Sequence, residues 1–451
     1  MQGSDPTISW VRRAGRTRVK GASTERDRGA LRAVHPCGQE PGTSEHPGNG
    51  AKQRQGQALD AVPSAGHEVR PLFLRAIAPQ ATILAPEQGA PKVTGANDRR
   101  TSMQCQAVTR FAEALEPLDR PDPAPQGTQV LVKVTGCGVC HSDVHIRDGY
   151  FDLGGGARMA LQQPLPLVLG HEIEGVVAAI GPQAAGVHIG QRVAVYPWIG
   201  CGQCAACRRE EENYCPQPAN LGIQRFGGYA SVCLVPDARY LIGCDGVAPG
   251  LAAAYMCSGL TAYGALKKVA DAKADDPVLI VGYGGLGMMA HALAKALIPQ
   301  APILAADIAP SKRAAAKAAG LSVYDPSDKA DAQRLLADTA GVYAALDFVG
   351  SEESFSFANA SVRRGGAVIV VGLYGGAFSM PLPTLPFRAL RLQGSYVGTL
   401  AEAREVIALA RSGKVAPIPI LPRPLSQAET ALADLKAGRA VGRIVLQPDP
   451  R

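Results

Sequence analysis

Two rhythms of apolar and polar positions divide the chain. Between residue 103 and about residue 257, short runs rich in Val, Ile and aromatic residues are separated by Gly and Pro; examples are 129–134, 173–180, 192–196 and 229–235. Such runs predict β-strands, and strands this short with such turns predict a β-rich, partly barrel-like domain that opens with a strand near 104–111. From about residue 275 the texture changes to apolar strands alternating with Ala-, Leu- and Lys-rich helical stretches. The strands are Val278–Val281, Ile303–Ala306, 344–348 and 367–371. That alternation predicts a parallel α/β sheet. A helix over Leu400–Arg411, a Pro-rich segment and a last strand, Arg443–Gln447, return to the first texture. The tail is therefore expected to fold back onto the first domain. The expected divisions are 103–258, 259–397 and 398–451, in a protein of the α/β class.

Residues 1–102 hold neither period. They are rich in Gly, Pro, Arg, Ser and Gln, and their apolar runs, 71–77 and 81–84, are short and broken by prolines. A disordered extension is expected there. Asp5, Glu25 and Asp27 argue against a transit peptide, and Met103 is expected to be the true start.

Charge sharpens this division. The net charge is +7, but residues 1–102 hold 15 Lys and Arg against 9 Asp and Glu, which leaves 31 against 30 for the rest. The body is nearly neutral, so nucleic-acid binding by it has no electrostatic support. No stretch approaches the roughly 20 apolar residues of a membrane span. Of the eleven cysteines four fall within 201–215, and no secretory signal precedes them. Metal ligation is expected rather than disulfides, in a reducing and hence cytoplasmic compartment.

The chemistry starts at 136–145, Gly-Cys-Gly-Val-Cys-His-Ser-Asp-Val-His, which follows the apolar run Val-Leu-Val-Lys-Val and is expected to enter a loop. Sulfur and imidazole suit zinc, and a hydroxyl beside them suggests proton traffic. Cys-x2-Cys alone is only moderately specific, and idle cysteines are its rival reading. His171, in Gly170-His171-Glu172, stands at a turn before a strand; alone it would be an ordinary core histidine. If Cys140 and His171 share a metal, a third ligand is needed, and Cys257 is the candidate; alone it would be an inert buried thiol.

Cys201-x2-Cys204-x2-Cys207-x7-Cys215 is a stronger signal, able to close an all-thiolate zinc site. Its rival is an iron–sulfur cluster, since the spacing of the first three cysteines and Pro216 resemble bacterial ferredoxins, though the last gap does not fit. Gly282-Tyr-Gly284-Gly285-Leu-Gly287 lies between the strand Val278–Val281 and a helix over 288–297, as in a dinucleotide fingerprint. Asp307 ends the next strand, where a carboxylate favours the ribose of NAD over the phosphate of NADP; Lys312 and Arg313 follow and soften that exclusion.

With these pieces in order, residues 103–447 resemble the zinc-dependent alcohol dehydrogenases of the medium-chain dehydrogenase/reductase superfamily. The resemblance implies a GroES-like catalytic domain, a Rossmann coenzyme domain, and hydride transfer between a primary alcohol and NAD. It implies one catalytic zinc on Cys140, His171 and Cys257, and one structural zinc on Cys201, Cys204, Cys207 and Cys215. It makes Glu172 an acid near the metal and Asp143 the carboxylate that orients the ligand histidine. Ser142 takes the alcohol proton, and His145 passes it to solvent. Gly282, Gly284, Gly285, Gly287, Asp307 and Lys312 match the coenzyme motif, and Arg443 a coenzyme-phosphate contact. A homotetramer or homodimer is also implied.

Segments 148–156, 196–201, 211–215 and 394–399 look like the subgroup containing 6-hydroxyhexanoate dehydrogenase, which extends the implied substrates to ω-hydroxy acids. Tyr283 departs from the pattern, standing where a small residue is usual, and is expected to crowd the pyrophosphate turn. Two other classes stay open: another reductase of the superfamily, and a zinc-binding module with a basic leader acting on a macromolecule.

Overall fold

A computed structural model describes residues 102–450. The disordered extension expected over 1–101 lies outside them.

The first domain is organised on the strand Val130–Gly138. Its Val-Leu-Val-Lys-Val stretch alternates, so Lys133 and Thr135 face out while their neighbours are buried. It pairs antiparallel with Glu172–Ile180, with Val232–Val235 and with Arg443–Gln447. Leu241–Gly243, Arg192–Val195 and Ile420–Pro424 complete a seven-stranded sheet. A smaller sheet of Ser102–Val108, Glu116–Pro121 and Leu167–Val168 joins it through a bridge between Cys105 and Ala230.

The second domain is a six-stranded sheet, parallel throughout, in the order Ser322–Tyr324, Ile303–Ala306, Val278–Val281, Val342–Asp347, Val362–Val370, Arg391–Gly394. This is the doubly wound order, and it places the fingerprint strand at the switch point where ligands bind. Val278–Val281 is buried at every position because helices cover both faces.

Leu251–Ala254, Tyr255–Gly259 and Leu260–Lys267 form a buried helical rod between the two sheets. One apolar core includes residues of both domains. Beyond it, Thr399 caps Leu400–Arg411 through a reciprocal pair: its hydroxyl accepts from the Glu402 N–H at 3.2 Å, and the Glu402 carboxylate accepts from its N–H at 2.9 Å. The chain then returns to the first sheet, where Val445 faces Gly138 and Leu446 faces Cys137.

One stretch differs from expectation. The groups after Val130–Gly138 do not enter a loop: His141–Asp148 is a helix whose N-cap is Cys140. A hairpin of Tyr150–Gly154 and Ala157–Ala160 follows it. Eight residues span only about two turns, too few for apolar periodicity to show.

Candidate active site

Three elements converge at the junction of the domains. Cys140 sits where the first-domain strand gives way to the helix His141–Asp148, and His171 immediately precedes the strand Glu172–Ile180. Cys257 lies in a π-helical turn, Tyr255–Gly259, a local widening that often marks functional positions. One ligand atom from each of Cys140, His171 and Cys257 lies within 4.8 Å of the others.

Asp143 organises this cluster. Fully buried, it accepts from the Cys140 N–H at 2.9 Å and the Gly170 N–H at 3.3 Å. The Tyr229 hydroxyl donates to it at 3.1 Å, and its Oδ1 lies 3.3 Å from His171 Nδ1. With Nδ1 facing that carboxylate, Nε2 is the nitrogen left for a ligand. Both ring nitrogens are buried, and neither makes a well-formed hydrogen bond among the described residues. An orphaned imidazole nitrogen beside two thiols is the donor set of a zinc ion with one open coordination position.

The electrostatics favour the metal-binding form at Cys140, while the Cys140 charge pushes Cys257 towards its thiol and helps push His171 towards its protonated form. Cys140 is held well below the usual thiol range, first by the hydrogen bond from Cys257 and then, against its burial, by His171 and Arg443. Burial opposes charge on His171, but Asp143 and Cys140 outweigh it and hold the imidazole well above its usual range. Glu172, also fully buried, accepts from the Ser258 N–H at 3.2 Å and from the Arg443 guanidinium. Burial pushes its carboxyl up and Arg443 opposes the rise. Arg443 also lies along the fingerprint: a Cβ on Gly285 would come 2.3 Å from its Cδ. The side chain thus stands between the thiol cluster and the coenzyme turn.

Ser142 and His145 are half-buried on the same short helix, and no direct hydrogen bond links them among the described residues. His145 stacks near Phe151, with ring centroids 4.9 Å apart, and burial lowers its pKa against the pull of Cys140 and Asp148.

The four cysteines of 201–215 form a second cluster, again with ligand atoms within 4.8 Å. Cys204 and Cys215 sulfurs are 3.8 Å apart, and Cys201 and Cys207 4.0 Å. A tetrahedron of sulfurs about 2.3 Å from zinc has edges of about 3.8 Å, so the cage fits. The N–H groups of Cys201, Cys207 and Gln217 donate to Cys215, Cys204 and Cys215 at 3.2, 3.4 and 3.4 Å, offsetting thiolate charge.

At the coenzyme turn Gly282 has φ +90°, and a Cβ on Gly287 would lie 2.1 Å from the Gly282 carbonyl oxygen. Only glycine allows the helix Gly285–Leu297 to start so close to the strand. Lys312 Nζ lies 3.9 Å from where a Gly284 Cβ would be. Asp307 accepts from the Tyr283 N–H and the Ala309 N–H, each at 2.8 Å, so the carboxylate is fixed at the strand end. Tyr283 does not crowd the turn. Its side chain is buried, and its hydroxyl lies 2.8 Å from His291 Nδ1 on the helix. The ring is excluded from the crevice because the apolar core accepts it.

The chain is similar to known proteins in sequence and fold. Residues 126–245 match the family described as alcohol dehydrogenase GroES-like domain, and 285–412 match that described as zinc-binding dehydrogenase. An NAD-dependent alcohol dehydrogenase of Sulfurisphaera tokodaii is 35% identical over 351 residues, 77% of this chain and 100% of that protein. The chain belongs to the zinc-dependent alcohol dehydrogenases. An alcohol dehydrogenase of Geobacillus stearothermophilus is 34% identical over 348 residues, 76% of this chain and 99% of that one. The crystal structure of the alcohol dehydrogenase from the archaeon Aeropyrum pernix matches with TM-score 0.70 at 30% identity, over 76% of this chain and 100% of that one.

In this alcohol dehydrogenase, three features escaped the sequence. Tyr229 supports Asp143 from 86 positions away, with no local motif to announce it. His141, between Cys140 and Ser142, has its pKa lowered first by desolvation and then, against the pull of Cys140, by the charges of Arg443 and Lys312. Trp198 stands 5.4 Å from His171 and Tyr396 lies edge-on to it at 5.8 Å, an aromatic wall beside the metal cluster.

Proposed function

We propose that this enzyme oxidises primary alcohols, ω-hydroxy acids among them, to aldehydes with NAD. The observation that carries the reading is the trio of half-buried Cys140 with buried His171 and Cys257, supported by Asp143 and set beside the fingerprint turn. When bound there, zinc supplies the positive charge that draws down the alcohol's pKa, and NAD supplies the hydride acceptor. Ser142 receives the alcohol proton, and His145, kept neutral by burial, passes it to water. Trp198 and Tyr396 exclude water and orient the alcohol's carbon chain. Asp307 and Lys312 hold the coenzyme, and Arg443 fixes Glu172 while facing the phosphates. The resemblance of 148–156 and 394–399 to the 6-hydroxyhexanoate subgroup supports the ω-hydroxy acid assignment.

The division at 258 and 397 and a cytoplasmic location belong to the same reading; the ten described cysteines are free thiols, as a reducing compartment requires. A homodimer or homotetramer is supported by the edge strand Arg391–Gly394, exposed at all four positions, with Leu382 and Phe387 exposed nearby.

Zinc content and NADH formation from a panel of primary alcohols and ω-hydroxy acids test this. Two zinc ions per chain and turnover abolished by chelation are expected from the two clusters. Cys140→Ser should abolish turnover while NADH still binds. Undiminished turnover in that variant would sink the ligand assignment.

A further inference from the structure

Tyr283 occupies the fingerprint turn, yet its side chain serves no chemistry described so far. It points into the core, 3% exposed, and meets His291, itself buried, two turns along the helix Gly285–Leu297. Its backbone N–H donates to Asp307 Oδ2 at 2.8 Å, and the other carboxylate oxygen is taken by the Ala309 N–H. One residue therefore ties three parts together: the turn, the helix behind it and the carboxylate that faces the ribose.

Resting on the coenzyme reading above, we propose that Tyr283 is a positioning residue for coenzyme selection: its hydrogen bond to His291 locks the turn so that its N–H holds Asp307 against the ribose of NAD. The physical argument is one of restraint. Gly282, with φ +90°, and Gly284 flank Tyr283, and glycines leave a turn loose unless something pins it. The side chain between them is anchored at its far end by a bond inside the protein, where solvent cannot compete. Burial favours the neutral form of both groups, and in the tautomer that carries its proton on Nε2, His291 accepts from the Tyr283 hydroxyl. A fixed Asp307 presents its negative charge where a 2′-phosphate would sit, so the lock bears on NAD affinity and on rejection of NADP together.

The test is Tyr283→Phe in the full, zinc-loaded chain, with NADH and NADPH binding read by fluorescence and no alcohol present. The NADH dissociation constant should rise about fivefold, the value of one ordinary hydrogen bond, while NADPH changes by less than about twofold. The KM for NAD should rise with the NADH dissociation constant and by more than kcat changes, whereas a merely structural defect would not separate the two. His291→Gln keeps an acceptor and should bind NADH nearly as wild type; His291→Leu should copy Tyr283→Phe. If Tyr283→Phe fails to fold, the two histidine variants decide. Unchanged NADH affinity with only a lower melting temperature would overturn the proposal, as would equal weakening of NADH and NADPH. A wild-type chain that bound no NADH would remove the coenzyme reading itself.

Discussion

Arg443 and Glu172, 271 positions apart, form a buried ion pair between the thiol cluster and the first turn of the coenzyme helix. Each is almost wholly shielded from water, and the neutral Ser258 N–H that also reaches Glu172 does not balance its charge. Removing one partner of such a pair strands the other and costs about 3–5 kcal/mol. Arg443→Leu should lose that much stability in denaturant unfolding. Glu172→Gln, which keeps an acceptor for the Ser258 N–H, should lose less. Equal stability of wild type and Arg443→Leu would show that the surroundings, not the pair, hold the junction.

Asp143→Asn should preserve shape and remove charge. The carboxylate near His171 also receives the Tyr229 hydroxyl and two backbone N–H groups. Loss of such a supporting group typically weakens metal affinity about 10- to 100-fold. Zinc retention against a competing chelator measures it, and an unchanged competition curve would refute the role.

The four-cysteine lobe should behave as a folding element. Cys204→Ser should leave one zinc of two and lower the melting temperature by roughly 10 °C, since several kcal/mol at about 2–4 °C each are at stake. A normal melting temperature with only one zinc bound would contradict this.

Acid should destabilise the coenzyme domain through His291. Burial first, and Lys295 second, lower its pKa to about 4 from 6.5. The unfolded chain then binds the proton more readily, so this contribution is complete above pH 6.5 and is lost as pH falls from there to about 4. At about 1.4 kcal/mol per pH unit the full loss is on the order of 3 kcal/mol, reduced by whatever solvent reaches the ring. Unfolding curves at pH 7 and 5 should converge for His291→Gln and diverge for wild type; parallel behaviour would reject the assignment.

Much of this was legible from pattern. The apolar run Val278–Val281 before its glycines, and cysteine spacings short enough for one turn to close, announce their geometry locally. What stayed hidden depends on distance or direction. Tyr229 meets Asp143 only because its N–H, donating to the Leu169 carbonyl at 2.9 Å, holds it beside the segment that leads to His171. Tyr283 turns inward because a core with room for it lies there, which no neighbour in sequence reports. The helix His141–Asp148 escaped notice because a cysteine, rather than Ser, Thr, Asp or Asn, stands at its N-cap.

The strand Arg443–Gln447 lies beside Val130–Gly138, within a sheet whose other members were nearly all translated much earlier. The ribosome must therefore release almost the whole chain before that sheet closes. Until then Glu172 lacks its cation, so a nascent chain that has not yet reached Arg443 carries a buried carboxylate with its charge unbalanced.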